Sequence, residues 1–131
     1  MVVSLGSGEN RYSAVHFDDL ADLYCVALKK ADPGMILHAA RENFSMKELA
    51  VTIHRGLRYR GEPSSLSLTE ARRFSPIADR LIQNHALSGD LAPVLGWRPS
   101  RDSIMKEVEQ TVIEDAFVSR LRLPRTECKE R

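Results

Sequence analysis

Cysteine is scarce in this sequence: Cys25 and Cys128 are its only two. That rules out a disulfide framework, and neither stands at metal-ligand spacing from another cysteine or histidine. Aromatic residues make up only 6%, with a single tryptophan, Trp97. No apolar run approaches the ~20 residues that a membrane helix needs. The first ten residues lack the charged start and apolar stretch of a secretory signal. Charge of one dominant sign is missing too, since 19 Lys+Arg stand against 18 Asp+Glu for a net charge of +1. Non-specific attraction to nucleic acid or to an anionic membrane is therefore not expected. What is present is a 43% hydrophobic share over 131 residues, enough for one domain with a core and well above the disordered class. A cytoplasmic chain is expected, with Cys25 as a buried free thiol inside an apolar run. That setting argues against a bridge from Cys25 to Cys128.

Helical periodicity dominates the chain. Leu20, Leu23, Tyr24, Ala27, Leu28 and Ala31 share one face of a helix over 18–31. Asp18 is its expected N-cap, and Pro33-Gly34 stops it. Tyr12 to Phe17 reads as a strand before it, and Met35 to Ala39 as a short buried strand after it. Ser45-Met46-Lys47-Glu48 spells a capping box, opening a helix with a stripe of Met46, Leu49, Ala50, Ile53 and Leu57. Gly56 and Gly61 end that helix. Pro63 to Leu66 is a candidate strand, and Ser67-Leu68-Thr69-Glu70 a second capping box for a short helix through Phe74. Pro76 opens another, to about Ile82. Residues 83–100 are rich in turn residues. A last helix runs over 101–118 on a spine of Ile104, Val108 and Val112, and 121–131 forms a charged tail broken by Pro124, expected to fray. The strands are too few and short for a self-sufficient sheet.

Constellations for chemistry are sparse. Gly6-Ser7-Gly8 lacks the preceding strand, third glycine and following helix of a dinucleotide fingerprint, and reads as a turn. His16, His38, His54 and His85 have no helical i, i+4 pairing, so no metal site is expected. His16 and His38 fall in the expected buried strands and read as core histidines. Arg55, Arg58 and Arg60 with Tyr59 make a basic cluster, and acidic neighbours make it a solvated helix end rather than an RNA surface. No Gly-x-Ser-x-Gly elbow is present.

Five segments in order carry a resemblance. Val15-His16-Phe17-Asp18-Asp19-Leu20-Ala21 resembles the V-H-x-D-D-L-A motif of extended short-chain dehydrogenases/reductases, the NAD-dependent epimerase/dehydratase family. Gly8-Glu9-Asn10 precedes it as a turn does there. Phe44 to Ala50 is similar to that family's S-x-x-E-L-A helix start, Leu66 to Ala71 to the segment after its next strand, and Leu95-Gly96-Trp97-Arg98-Pro99 to its L-G-W-x-P turn. The resemblance covers about 5–109. It divides the chain into 1–110, a C-terminal, substrate-side region, and 111–131, the end of the last helix and the charged tail.

The resemblance implies an α/β class, mixed and helix-rich, with a partial Rossmann-type architecture lacking the N-terminal dinucleotide-binding half. The family's Gly-x-x-Gly-x-x-Gly loop is not in this sequence. Neither is its Tyr-x-x-x-Lys, because Tyr12, Tyr24 and Tyr59 are followed four residues on by His16, Leu28 and Pro63. In the family that tyrosine is the general acid/base and the lysine holds the ribose. The expectation is therefore a truncated NAD(P)-dependent epimerase/dehydratase- or reductase-like chain with no catalytic residue, and no NAD or NADP held by this chain alone. The alternative is an interaction or oligomerisation module that complements a separate Rossmann subunit. The substrate-facing candidates are Asn10, Tyr12, Ala14 and His16. Family members that take nucleotide sugars carry an arginine and a tyrosine four and two residues before the histidine. Here those positions hold Tyr12 and Ala14, and strand alternation points Arg11 the other way. That fits a smaller or less charged substrate. The implied partners are such a small molecule and either a Rossmann-domain partner or a second copy.

Overall fold

A computed structural model describes residues 2–101 and 103–121, the side chains of 115–121 aside. Among the described residues, four short strands and six helices follow one another. They are β1 (Val3–Leu5), β2 (Arg11–Ala14), α1 (Phe17–Lys30), β3 (Glu42–Ser45), α2 (Met46–Gly56), β4 (Ser64–Leu66), α3 (Leu68–Ala71), α4 (Ala78–Leu81), α5 (Leu91–Val94) and α6 (Ile104–Leu121). The class is mixed α/β and rich in helix. The charged tail beyond 121, with Cys128, lies outside the described residues.

The strands form two separate pairs. β1 runs parallel to β4, with Val3 opposite Ser64 and Leu5 opposite Leu66. β2 runs antiparallel to β3, with Tyr12 opposite Phe44 and Ala14 opposite Glu42. The second pair exists because β3 turns straight into α2: Ser45 closes the strand against Arg11 and also caps the helix. Its hydroxyl accepts from the Glu48 amide at 3.0 Å, while its own amide donates to Glu48 Oε2 at 2.6 Å. Ser67 and Glu70 build the same box at α3. Both match the sequence pattern. The short helix ends at Ala71 rather than Phe74, with residues 72–74 as a turn.

Five expectations are corrected. The strand read over 12–17 ends at Ala14, because α1 begins at Phe17. Its N-cap is His16 and not Asp18: His16 has extended backbone, and its Nδ1 accepts from the Asp18 amide at 3.1 Å. Met35 to Ala39 is not a strand. Leu37 and Ala39 turn inward against the core while Ile36 is 74% exposed and His38 is exposed. This is the alternation of an extended segment that has side-chain packing on one face but no neighbouring strand to bond. His38 is therefore no core histidine, and Cys25 is exposed rather than buried.

The core is built around two large residues and one small one. Leu23, Ala92 and Trp97 form its buried centre, with Val15, Val26, Leu37 and Ala39 packed against it. Elsewhere α2 and α6 cross closely at Gly56, where an added Cβ would lie 3.0 Å from Val112 Cγ1. Of the stripe expected on α1, Leu23 is buried and Leu20 and Ala27 half-buried, whereas Tyr24 and Leu28 are 65% and 88% exposed. No helix among the described residues is long and apolar enough to cross a membrane.

Candidate functional site

β2 is the axis of the region where the candidate residues fall. On its free side lies the segment 80–87. The Arg11 amide donates to Asn84 Oδ1 at 2.7 Å, and the His85 amide donates to the Arg11 carbonyl at 2.7 Å. An isolated parallel bridge then joins Tyr12 to His85. The Leu87 amide reaches Ser13 Oγ at 2.6 Å. A turn-rich segment thus becomes a third lane beside the β2–β3 ribbon without being a strand.

The four candidates face different tasks. Asn10 gives its side-chain amide to the carbonyls of Leu81 at 2.8 Å and Gln83 at 3.3 Å. The Tyr12 hydroxyl donates to the Arg80 carbonyl at 2.8 Å, and its ring lies 5.3 Å from that of His85. Ala14 offers only its carbonyl, which accepts from the Arg41 amide. His16 caps α1 with Nδ1, which accepts from the Asp18 amide, and its Nε2 lies 3.6 Å from Glu107 Oε2. The structure therefore brings Asn10 and Tyr12 together on the 80–85 segment. Ala14 and His16 sit apart from them, towards α6.

Behind β3 is a cleft of about 390 Å³ between residues 40–43 and 87–90, closed at its end by Trp97 and Pro99. None of the four candidates lines it. Its walls come close at Gly89, where a Cβ would stand 2.2 Å from the Ala40 carbonyl oxygen, so only glycine fits. His38 Nδ1 lies 3.1 Å from the Ser88 carbonyl, and Arg41 donates to the Pro99 carbonyl at 3.2 Å. Arg41, Glu42 and Asp90 give the cleft one positive and two negative side chains.

The residue that fixes this end of the molecule is Asp19. It is 1% exposed. Its carboxylate accepts from the amides of Ser100 at 2.8 Å and Arg101 at 3.2 Å, and its carbonyl accepts from Trp97 Nε1 at 2.8 Å. Burial pushes this carboxyl up. The Ser100 and Arg101 amides, the Ser100 hydroxyl and nearby Arg41 together outweigh it and leave the group below its ordinary value. Asp18 pairs with Arg101. Reading Asp18 as the helix cap, with no task given to Asp19, missed this clamp. The signal available was the pairing of the D-D and L-G-W-x-P segments in one resemblance.

A dinucleotide does not fit the one glycine-rich turn. Gly6 and Gly8 both have positive φ, 55° and 70°. A Cβ on Gly8 would lie 2.9 Å from Lys47 Cβ, so the turn is packed against the first turn of α2. The Gly8 amide is used by Leu5 and its carbonyl by Lys47. No open set of amides faces a pyrophosphate there.

No family model matches the chain. It is 35% identical over 107 residues to the uncharacterized protein C2A9.02 of Schizosaccharomyces pombe, an alignment covering 79% of this chain and 36% of that one. Among solved structures, it is similar to a GDP-mannoheptose C4 reductase from Campylobacter jejuni, solved with NADP bound. The TM-score is 0.59 at 17% identity, over 89% of this chain and 34% of that one. It is also similar to a UDP-N-acetylglucosamine 4-epimerase from Methanobrevibacter ruminantium M1, with a TM-score of 0.59 at 18% identity, over 90% and 34%. The chain spans about a third of the length of the proteins it matches. It carries a partial Rossmann-type α/β fold, shared with part of NAD(P)-dependent epimerases and reductases.

Proposed function

We propose that this chain is the substrate-side portion of an epimerase- or reductase-like protein, and that cofactor binding and proton transfer come from a dinucleotide-binding unit outside residues 1–131. The observation that carries this reading is the segment 35–39. It is extended and alternates inward and outward, yet it lies beside no strand. A bare strand of this kind suits the edge of a larger parallel sheet, which is where such segments normally find their hydrogen bonds. The packed glycine turn, which leaves no cradle for a pyrophosphate, points the same way.

In this reading Asn10 and Tyr12 shape the substrate side indirectly. Their polar groups hold the carbonyls of residues 80–83, so the segment bearing His85, whose ring is exposed beside Tyr12, is set at a fixed height above β2. His16, apart from them, holds the start of α1. The absence of an arginine at the Tyr12 position favours a substrate without a diphosphate.

The test is a titration of NADPH into the 131-residue chain, read by Trp97 fluorescence and by calorimetry. No saturable binding is expected below millimolar cofactor, and binding is expected once a unit carrying a glycine-rich loop and Tyr-x-x-x-Lys is co-expressed and co-purifies. Micromolar binding by the chain alone overturns the reading. The second reading, a module that only holds a partner, is favoured by the exposed apolar side chains of α1. A stable complex that binds NADPH yet turns over no sugar or ketone substrate would select it.

A further inference from the structure

We infer that Ser75 is a phosphorylation site for a protein kinase that selects arginines before its serine, and that the phosphate draws Arg72 away from Asp79 and frees α4. This goes beyond the proposed function and does not rest on it.

The sequence singles out one hydroxyl. Ser75 is preceded by Arg72 and Arg73 and followed by Pro76, and no other serine or threonine has arginine both three and two residues before it. Two cations at that spacing suit an acidic kinase groove, since kinases choose substrates by charge pattern. The fold leaves this hydroxyl unused. Ser13, Ser45, Ser67 and Ser88 each spend theirs in hydrogen bonds. Among the described residues no hydrogen bond includes Ser75 Oγ, and the atom is open to solvent. Pro76 disfavours helical backbone at Ser75, so the serine stands in the break between α3 and α4. Its neighbours Arg72, Arg73, Phe74 and Pro76 are exposed. α3 and α4 have four residues each, single turns that open readily to fit an extended groove.

The same arginines decide what the modification does. Arg72 is held across the turn by Asp79: its Nε and Nη2 donate to Asp79 Oδ1 at 3.1 and 2.6 Å. Arg73 is exposed and in no ion pair among the described residues. In the transfer, the bond from the γ-phosphorus of a nucleoside triphosphate to the β–γ bridging oxygen breaks, and a bond to Ser75 Oγ forms. The nucleoside diphosphate leaves, and the hydroxyl proton passes to the kinase's base. The product carries a charge of about −1.5 to −2 at pH 7. On one side Ser75 borders a hollow of about 240 Å³ lined by apolar side chains such as Leu5, Leu66, Phe74 and Leu81, which excludes a dianion. The phosphate therefore turns to Arg72 and Arg73. It attracts Arg72 more strongly than the single charge of Asp79 does, and it repels Asp79. Loss of that pair detaches α4 from the end of α3. The carbonyls of Arg80 and Leu81, at the end of α4, are the ones held by Tyr12 and Asn10, so the change reaches the segment 80–85.

The experiment treats the folded 131-residue chain with the catalytic subunit of cyclic-AMP-dependent protein kinase and Mg·ATP, read by intact mass and peptide mapping. One phosphate per chain is expected, on Ser75. Ser75→Ala should remove it with circular dichroism unchanged, because the hydroxyl holds nothing, and Arg73→Ala should slow incorporation about tenfold. Amide hydrogen exchange over 78–85 should quicken about tenfold on phosphorylation. In Asp79→Ala, where the pair is already absent, exchange should start fast and phosphorylation should add little. No incorporation, incorporation only into the heat-unfolded chain, a phosphate elsewhere than Ser75, or a rate that Arg73→Ala leaves unchanged overturns the site. Unchanged exchange over 78–85 in the phosphorylated chain, or the same quickening in Asp79→Ala, overturns the release of α4. The NADPH titration is unaffected by any of these outcomes.

Discussion

Asp19 uses both its side chain and its carbonyl to tie the start of α1 to the segment 97–101. A carboxylate this buried is tolerated because amides and a hydroxyl surround it. Asp19→Ala leaves two backbone amides unpaired and should cost about 2–3 kcal/mol in urea unfolding. The same group links stability to pH. Its folded value is lowered, so the unfolded chain takes up a proton first. The contribution is whole above the unfolded carboxyl value of about 3.9, and is lost as the pH falls through the lower folded value. The urea midpoint of the parent should therefore fall between pH 6 and pH 3 by more than that of Asp19→Ala. At this scale the sequence was only partly readable. The two aspartates were visible, but a helix-start aspartate reads as a cap whenever its real partners lie some 80 residues away. A still longer separation in sequence hid the contact of His16 with Glu107.

Elements with local causes were the legible ones. Ser45 and Glu48, or Ser67 and Glu70, carry all the atoms of their boxes within four residues, and both helices begin where those residues say. Ser45→Ala should cost about 1 kcal/mol, and more of it should show in the unfolding rate if α2 docks on α6 late. β3 was not foreseen, because Glu42–Ser45 has no strand pattern of its own and is extended only by its pairing with β2. The segment 35–39 shows the reverse case: its composition reads as a strand, but pairing needs a neighbour. Contact between helices is set by a single missing side chain. Gly56→Leu would drive a branched group into Val112, where even a Cβ has 3.0 Å. That change should separate α2 from α6 and lower the melting temperature by roughly 8 °C or more, equivalent to about 2 kcal/mol.

At the scale of the molecule, burial is modest. Among the described residues, the buried hydrophobic ones are four alanines with Leu23 and Trp97 as the large members. A chain of this kind belongs near the low end of the usual 5–15 kcal/mol. Trp97→Ala, which removes the largest buried side chain and its bond to Asp19, should cost about 3–5 kcal/mol. Little folded protein should then remain at 37 °C by circular dichroism, whereas Trp97→Phe keeps much of the volume and should stay folded at 25 °C. The architecture as a whole was legible through ordered motifs rather than through periodicity, since no short window reports which strands pair. The tie between Asp19 and Trp97 has a further effect at birth. The two residues are 78 positions apart. At about 5–20 residues added per second, a ribosome emits α1 roughly 4–16 s before the indole that covers its inner face. For that interval the inner face of the helix is uncovered in the nascent chain.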